Sequence, residues 1–208
     1  MTNKGSATLF SYWSKDIRYT TSNTITFEDK YGDHSVRVLA GQEAMRDKMD
    51  LLGLSSPKVN PLIPYPTTSP AADDQGNYNL VDESLLSFFG VFDYNYLNRY
   101  YLQASVRADG SSLFGSNNKW GVFWSVGGSW NVSKENWMKW SRQWLSALKI
   151  RASYGVNGNN NIAPYKAYGL YGTTQYNGIT GMVPSSPENP NLSWEKNATY
   201  NIGVDFGF

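Results

Sequence analysis

The feature that most constrains the fold is an alternation of apolar and other side chains that continues through four separate segments of the chain. In the first segment the even positions are Tyr100, Leu102, Ala104, Val106 and Ala108, whereas the odd positions are mostly polar. Successive side chains of a β-strand point to opposite faces, so a period of two predicts strands rather than helices. The predicted strands are residues 99–109, 120–133, 148–156 and 197–208, with weaker candidates at 20–28, 34–44 and 85–96, about seven in all.

The connections between these strands alternate between short and long. The connections at 29–33 and 97–99 are short enough to close antiparallel hairpins. The connections at 45–84, 110–119 and 157–194 are longer, and the first and last of these are rich in residues that favour loops. The remaining connection, 134–147, is predicted to contain a short helix at a membrane interface, because it carries Trp137, Met138, Trp140 and Trp144 behind Ser133 as a candidate N-cap.

Two all-β architectures fit an alternating meander: a soluble β-sandwich and a transmembrane β-barrel. The predicted strands run to about 9–13 residues, closer to the length of a tilted membrane strand than to the soluble average of about 5–6. Tyr and Trp gather near the strand ends, as expected at a lipid–water interface, and the polar faces carry Arg107, Asp109, Lys149 and Arg151. The side chains predicted to face lipid are Leu102, Val106, Trp120, Val122, Trp124, Trp130, Ile150, Ile202 and Val204.

Several sequence blocks resemble the barrel of SusC/RagA-type TonB-dependent receptors of Bacteroidetes. They are YNYLNRY at 94–100, RADGSSLFG at 107–115, NKWG at 118–121, GSWNVSKE at 128–135, LKIRASYG at 148–155, NPNLSWE at 189–195 and NIGVDFGF at 201–208. The blocks occur in the order of the family. The resemblance is specific from residue 85 to 208 and looser from 20 to 43.

This resemblance implies a 22-stranded barrel in the outer membrane, with an N-terminal plug and a segment that contacts the TonB complex. It also implies a SusD-like surface lipoprotein as partner and a glycan or a peptide as the imported ligand. We therefore expect residues 1–208 to form part of such a barrel domain, in contact with outer-membrane lipid, with 1–16 unassigned. The loops at 45–84 and 157–194 are expected to be extracellular and the connection at 134–147 periplasmic. A plug and a TonB-contacting segment are not expected here, and about seven strands should not transport alone, because open sheet edges are costly in lipid.

Composition and motifs give little support for catalysis or for nucleic-acid binding. The chain has 18 Lys and Arg against 17 Asp and Glu, which gives no basic field for nucleic acid. It has no Cys and a single His, His34, which we interpret as a surface residue beside a turn. The sequence Asp109-Gly110-Ser111-Ser112 is interpreted as a turn with Gly110 at positive φ, not as a serine nucleophile. We predict no catalytic residue, no metal site and no cofactor.

The ligand-contact residues that the sequence suggests are aromatic side chains of the last long loop. They are Tyr165, Tyr168, Tyr171 and Tyr176, together with Asn177. Tyrosine offers a flat contact surface with a polar tip, which suits a sugar ring or a peptide. Two alternatives remain open from the residues alone: a soluble carbohydrate-binding β-sandwich that uses Trp and Tyr as a sugar platform and, less favoured, a glycoside hydrolase using Asp109, Asp205 or Glu195.

Overall fold

The computed structural model describes residues 7–68, 74–141 and 143–208, most of which belong to long β-strands. Seven strands form one sheet in the order β1-β2-β3-β4-β5-β6-β9. Their bounds are Ala7–Tyr31 (β1), His34–Val59 (β2), Gln75–Tyr96 (β3), Tyr100–Ser111 (β4), Trp120–Asn131 (β5), Ala147–Asn159 (β6) and Glu195–Gly207 (β9). The strands Leu170–Tyr176 (β7) and Ile179–Ser186 (β8) form a separate hairpin. Apart from this inserted hairpin, strands adjacent in sequence are adjacent in the sheet, which confirms the predicted antiparallel meander.

The register of the sheet keeps even-numbered residues beside even-numbered ones from β3 to β9. One such row is Tyr96, Tyr100, Trp130, Ile150 and Val204. Odd-numbered residues form the complementary rows, for example Asp93, Gln103, Gly127, Ser153 and Asn201. The even-numbered side chains of β3–β6 and β9 are called the outer face below, and the odd-numbered ones the inner face. The alternation in the sequence therefore produces one apolar and one polar face of a single sheet.

The described residues do not form a β-sandwich. A sandwich needs two sheets packed face to face, with the apolar side chains between them. Here the outer-face side chains of Val106, Val122 and Ile202 are 52%, 53% and 81% exposed. The apolar face is therefore not covered by a second layer of the described chain, so the sandwich interpretation is wrong.

Contacts divide the chain into two units, and the first explains why strand lengths were underestimated. It comprises Met1–Tyr19 and Arg46–Glu83. The predicted loop at 45–84 is wrong at both ends, because β2 continues to Val59 and β3 begins at Gln75. Charged side chains obscure the alternation there, but the fold pairs them. Arg46 bonds Asp82 at 2.7 Å, Arg18 bonds Asp47, and the Tyr78 hydroxyl donates to Asp50 at 2.7 Å.

The second unit comprises Thr20–Met45 and Ser84–Phe208. Its hairpin turns match the prediction, with Gly32 at φ 57° and with Leu97 and Asn98 at φ 55° and 53°. The predicted loop at 157–194 is wrong in part, because β6 extends to Asn159, β7 and β8 lie within it, and the Asn177-Gly178 turn between them has positive φ at both residues. That pair of conformations is typical of a tight hairpin turn. The hairpin alternation was missed because polar and apolar residues occur on both of its faces.

Two further predictions need correction in the second unit. Gly110 is not a positive-φ turn residue: it lies in β4 opposite Trp120, and a Cβ there would come within 2.8 Å of the Trp120 ring. The connection after β5 contains 3-10 turns at Val132–Lys134 and Asn136–Ser141, and Ser133 lies inside the first turn rather than capping a helix. Within 7–68, 74–141 and 143–208, no helix has the length and apolar character that crossing a bilayer requires.

Candidate functional site on the inner face

The inner face of the second unit surrounds an open concavity of about 950 Å³. Small residues of β5, Gly127 and Ser129, form part of its floor, and longer polar side chains form its walls. These polar side chains include Arg37, Asp93, Gln103, Lys149, Arg151 and Asn201. Because they come from five strands, the concavity exists only when the sheet has its full register. Its polar lining is suited to water and to a hydrogen-bonding ligand rather than to lipid.

Ion pairs and hydrogen bonds between neighbouring strands organise this lining. Asp93 accepts hydrogen bonds from Arg37 Nε at 2.9 Å and from Gln103 Nε2 at 2.6 Å, which connects β2, β3 and β4. On the other side, Arg151 of β6 lies 3.2 Å from the Asp205 carboxylate of β9. Sequence reasoning placed Arg151 on the polar face but missed Arg37 and Asp93. The sequence did contain a signal for both: Arg37 and Asp93 are charged residues at odd positions of the weaker candidate strands 34–44 and 85–96.

Arg107 connects four side chains nearer the long-loop end of the same face. Its guanidinium donates to Asp109 at 2.6 Å and to the buried Ser87 hydroxyl at 2.8 Å. It also lies 3.4 Å from the Glu43 carboxylate and 5.4 Å from the centre of the Phe89 ring. Asp109 is therefore engaged by Arg107, which supports a structural role for a carboxylate that the hydrolase alternative needed as an acid or base. The predicted polar-face positions of Arg107 and Asp109 agree with this geometry.

Two loops are joined at this end by an aromatic contact that the sequence did not predict. Phe114 is only 1% exposed, and its ring centre lies 4.6 Å from that of Trp194. Trp194 in turn meets the inner-face Phe123 edge-on at 5.2 Å, and its indole N–H donates to the Lys119 carbonyl at 3.1 Å. The contact therefore attaches both loops to the inner face of β5. The sequences of the blocks at 107–115 and 189–195 carry no information about their contact in space.

Backbone hydrogen bonds complete the junction between these two loops. The N–H groups of Gly115 and Asn117 donate to the carbonyls of Leu192 and Pro190, at 3.0 and 3.2 Å. A Cβ at Gly115 would lie 2.1 Å from the Pro190 carbonyl oxygen, so only glycine allows this approach. We call residues 112–119 and 189–194 the loop junction.

The tyrosines proposed as ligand contacts do not form one cluster. Tyr165 and Tyr168 lie together, with ring centres 6.3 Å apart. Tyr171 is on β7, and Tyr176 is at the end of that strand, 85% exposed and opposite Ile179. Because five positions separate the two, they point to opposite faces of the hairpin. Asn177 occupies the hairpin turn. The structure brings together only the first pair.

The remaining candidates for chemistry each have a local partner. His34 begins β2, where Nδ1 is 2.7 Å from the Tyr94 hydroxyl and the ring lies 4.6 Å from that of Tyr96. The Glu195 carboxylate accepts a hydrogen bond from Asn159 Nδ2 at 3.0 Å. In the part of the chain that the structure describes, no group of three or more acidic or histidine side chains could hold a metal ion.

One titratable group with a shifted pKa lies in the connection after β5. Glu135 accepts hydrogen bonds from the Tyr100 hydroxyl at 2.6 Å and the Trp130 indole N–H at 3.0 Å. Arg99 adds an ion pair at 3.3 Å. These donors stabilise the carboxylate and hold the pKa of Glu135 below its usual value. Glu135 therefore ties the start of β4 and the end of β5 to the connection.

All nine side chains predicted to face lipid lie on the outer face. Eight of them are exposed, and Trp130 is partly covered by the connection after β5. Aromatic neighbours extend along the turn end of this face, where Tyr100 stacks between Tyr96 and Trp130 at 6.2 and 6.3 Å. A row of Tyr and Trp at one end of an apolar face is the arrangement found at membrane interfaces.

Comparisons with known proteins agree with this geometry. The sequence profile of the family described as TonB dependent receptor-like, beta-barrel, matches residues 2–208. TonB-dependent receptor P39 of Formosa agariphila is 35% identical over 188 residues, covering 86% of this chain and 17% of the relative. TonB-dependent receptor SusC of Bacteroides thetaiotaomicron is 42% identical over 133 residues, covering 60% of this chain and 13% of the relative.

A solved structure of the RagAB peptide transporter matches 96% of this chain with a TM-score of 0.86 and 29% identity, and the chain covers 22% of it. Structures of the RagAB peptide importer in the closed-closed and open-open states both match with a TM-score of 0.84. The chain spans less than a quarter of the length of these relatives. The family match and the one-sided apolar sheet lead to the same conclusion: the chain belongs to the TonB-dependent receptor β-barrel family.

Proposed function

We propose that this chain forms part of the wall of an outer-membrane importer of SusC/RagA type that takes up glycans or peptides. The observation that carries the proposal is the division of one sheet into an exposed apolar face and a polar concave face. In a membrane barrel the first faces lipid and the second faces a hydrated lumen. The solved RagAB relatives are a peptide transporter and a peptide importer, which supports peptide as one ligand class to test. Glycan is the other class that the resemblance to SusC/RagA-type receptors implies.

The proposed role of this segment is that of a static wall rather than a moving gate. The segment matches the closed-closed and the open-open RagAB structures with the same TM-score, 0.84, which supports a wall that keeps its shape in both states. Ion pairs also connect β2 with β3 and β6 with β9, and the loop junction connects the β4–β5 loop with the loop before β9. A SusD-like lipoprotein and the TonB complex are the proposed partners of the full-length receptor, and we propose no catalytic role.

An uptake experiment tests the transport proposal. The full-length receptor gene is deleted from its host and restored on a plasmid, and uptake of fluorescent oligosaccharides and oligopeptides is measured. We expect uptake of one class to require both the receptor and TonB. A receptor that fractionates as a monodisperse soluble monomer, or uptake that persists without it, would contradict the proposal.

We further propose that the tyrosines of the last long loop contact the ligand at two places. Tyr165 and Tyr168 form one place, and the hairpin carries the other with Tyr171, Tyr176 and Asn177. Tyr168, Tyr171 and Tyr176 are exposed, and Tyr165 is half-buried. Accessible tyrosine rings can stack on sugars or pack against peptide, so each alanine substitution should weaken ligand binding about two- to tenfold. Tyr200→Ala is the matched control, because Tyr200 is 78% exposed but on the outer face.

Isothermal titration calorimetry of the purified receptor with its transported ligand separates the two places. A loss confined to the Tyr165→Ala/Tyr168→Ala variant assigns contact to the paired rings, and a loss confined to Tyr176→Ala assigns it to the hairpin. Unchanged affinity in both variants would contradict the ligand-contact proposal, while the transport proposal would still stand on the uptake experiment.

A further inference from the structure

The connection between β5 and β6 folds back onto the outer face of the sheet. Its buried side chains, Val132, Met138 and Leu145, form a small cluster that packs against Trp130 and Leu148. Both of these partners are even-numbered residues of the outer face, at the ends of β5 and β6. The connection therefore lies on the apolar side of the sheet rather than across the inner concavity.

The tryptophans that remain on this connection point away from that cluster. Trp137, Trp140 and Trp144 are 59%, 68% and 53% exposed. Trp137 meets Trp130 at 6.5 Å, and Trp144 meets Trp140 at 6.0 Å. Trp144 also meets Phe208, the residue after β9, at 6.4 Å, and Phe208 in turn meets the outer-face Phe206 at 5.7 Å. The three exposed indoles, called the Trp patch here, are thus continuous with the apolar outer face at its turn end.

The charges around the Trp patch are unequal in their exposure. Lys134 and Lys139 are exposed to solvent. The acidic residue of the same segment, Glu135, is only 8% exposed and is engaged by Tyr100, Trp130 and Arg99. Among the described residues of this connection, the exposed charges are therefore basic, because its carboxylate is turned inward. Exposed tryptophans beside lysines, at the edge of an apolar surface, match the chemistry of a phospholipid headgroup layer.

We propose that the Trp patch docks on the headgroup layer of a phospholipid leaflet, with its indoles at the level of the lipid–water interface and Lys134 and Lys139 beside the phosphates. This inference rests on the proposed function, because it requires lipid at the outer face. It extends that function by assigning the connection a lipid-binding role, in which the buried Met138 is a support rather than a lipid contact. It also predicts a preference for anionic over zwitterionic lipid.

Site-specific fluorescence quenching in the full-length receptor tests the proposal. Native cysteines elsewhere in the receptor are replaced by serine, and this chain contributes none. A bimane label is placed at Trp140→Cys, at Trp144→Cys in a second protein, at Val122→Cys as an acyl-chain control, and at Thr180→Cys on the hairpin as a water control. Each protein is reconstituted in phosphatidylcholine vesicles containing nitroxide lipids labelled at the headgroup or in the acyl chain.

Docking predicts that headgroup nitroxide quenches the labels at 140 and 144, that acyl-chain nitroxide quenches the label at 122, and that neither quenches the label at 180. When the nitroxide is carried by phosphatidylglycerol instead of phosphatidylcholine at the same mole fraction, quenching at position 140 should increase, because the lysines enrich the anionic lipid. The Lys134→Gln/Lys139→Gln variant should reduce this enrichment by about fivefold per lysine at most.

The outcomes separate this inference from the function on which it rests. If position 122 is quenched but positions 140 and 144 respond only to aqueous iodide, the headgroup docking is wrong and the lipid-facing sheet remains. If position 122 is also reached only by iodide, the proposed membrane role itself is wrong. Headgroup quenching without any effect of phosphatidylglycerol would overturn the lysine–phosphate part of the proposal.

Discussion

The two faces of the sheet from β3 to β9 share one backbone but differ in the medium that suits them, because the inner face is polar and the outer face is apolar. On the inner face, charged side chains have partners on neighbouring strands: Asp93 pairs with Arg37 of β2, and Arg151 pairs with Asp205. On the outer face, Val122 and Ile202 remain more than half exposed. An apolar face of this extent is costly in water, so its stability depends on the medium that covers it.

The same comparison shows where tight packing is concentrated. Phe114 is fully buried in the loop junction on the inner side. Val132, Met138 and Leu145 are buried on the outer side, below the Trp patch. Between these two ends the sheet is one layer thick among the described residues, so its central strands rely on backbone ladders and on cross-strand pairs.

Phe114→Ala should have the largest effect on stability, because it removes a buried ring that holds two loops to Phe123 through Trp194. Loss of a buried phenylalanine costs about 3–5 kcal/mol. Urea unfolding of the full-length receptor in vesicles measures the change in free energy. Phe206→Ala, at a 65% exposed outer-face position, is the matched control and should cost clearly less. Equal costs would show that the loop junction is not a packed site.

Val122→Arg should separate the two faces directly. A charge on the lipid face costs about 2–4 kcal/mol at the middle of the bilayer and about 0–1 kcal/mol near its edges, so Val122, two residues from the start of β5, should show an intermediate cost. The control, Gln103→Arg, puts the same side chain on the inner face beside Asp93 and should change the unfolding free energy little. If the two variants lost the same unfolding free energy in the same urea titration, the outer face would not be a lipid face and the inner face would not be a lumen face.

Glu135 should make the turn end sensitive to acid. Its pKa is lower in the folded than in the unfolded protein, so its stabilisation is complete above the unfolded pKa of about 4.3 and is lost as the pH falls through the lower folded value. In Glu135→Gln, the acid-dependent part of the unfolding free energy below about pH 4.3 should shrink. Glu195→Gln is the control, because the Glu195 carboxylate accepts a hydrogen bond from the neutral amide of Asn159. The prediction fails if both variants retain the wild-type pH dependence.

Arg37 and Asp93 should show the smallest effect, because their side chains are 45% and 26% exposed. A double-mutant cycle with Arg37→Ala and Asp93→Ala should give a coupling of about 0.2–1 kcal/mol. Added salt should reduce it, since partly solvated charges are screened. A coupling that is well above this range and insensitive to salt would indicate an inner face without water.

The alternation predicted the central strands well, because a period of two identifies a strand and also assigns each side chain to one face of the sheet. The predicted segments for β4, β5, β6 and β9 fall within a few residues of the observed bounds. The extensions of β1, β2 and β3 were missed for a physical reason. Charged residues such as Arg46 and Asp82 are typical of loops when each is considered alone. In the structure they lie on strands, where they form an ion pair with each other.

The candidate site was less predictable than the fold. The polar-face residues Arg107 and Lys149 followed from parity alone. The contact of Arg107 with Ser87 lies within the β3–β4 hairpin, whereas its contact with Glu43 depends on how β2, much earlier in the sequence, aligns with β4. The contact between Phe114 and Trp194 joins residues 80 positions apart, and no local pattern encodes it. The loop tyrosines were chosen by residue type, which gave no information on their separation in space.

The most direct test of the account measures the medium on each side of β5. Nitroxide labels are placed one at a time at positions 122–126 in the full-length receptor in vesicles, and their collisions with oxygen and with a water-soluble nickel chelate are recorded by electron paramagnetic resonance. We predict that accessibility alternates with each residue: oxygen at 122, 124 and 126, and nickel chelate at 125. Position 123 should be shielded by Trp194. Even positions that neither reagent reaches would show a protein interior on the outer face and would contradict the account.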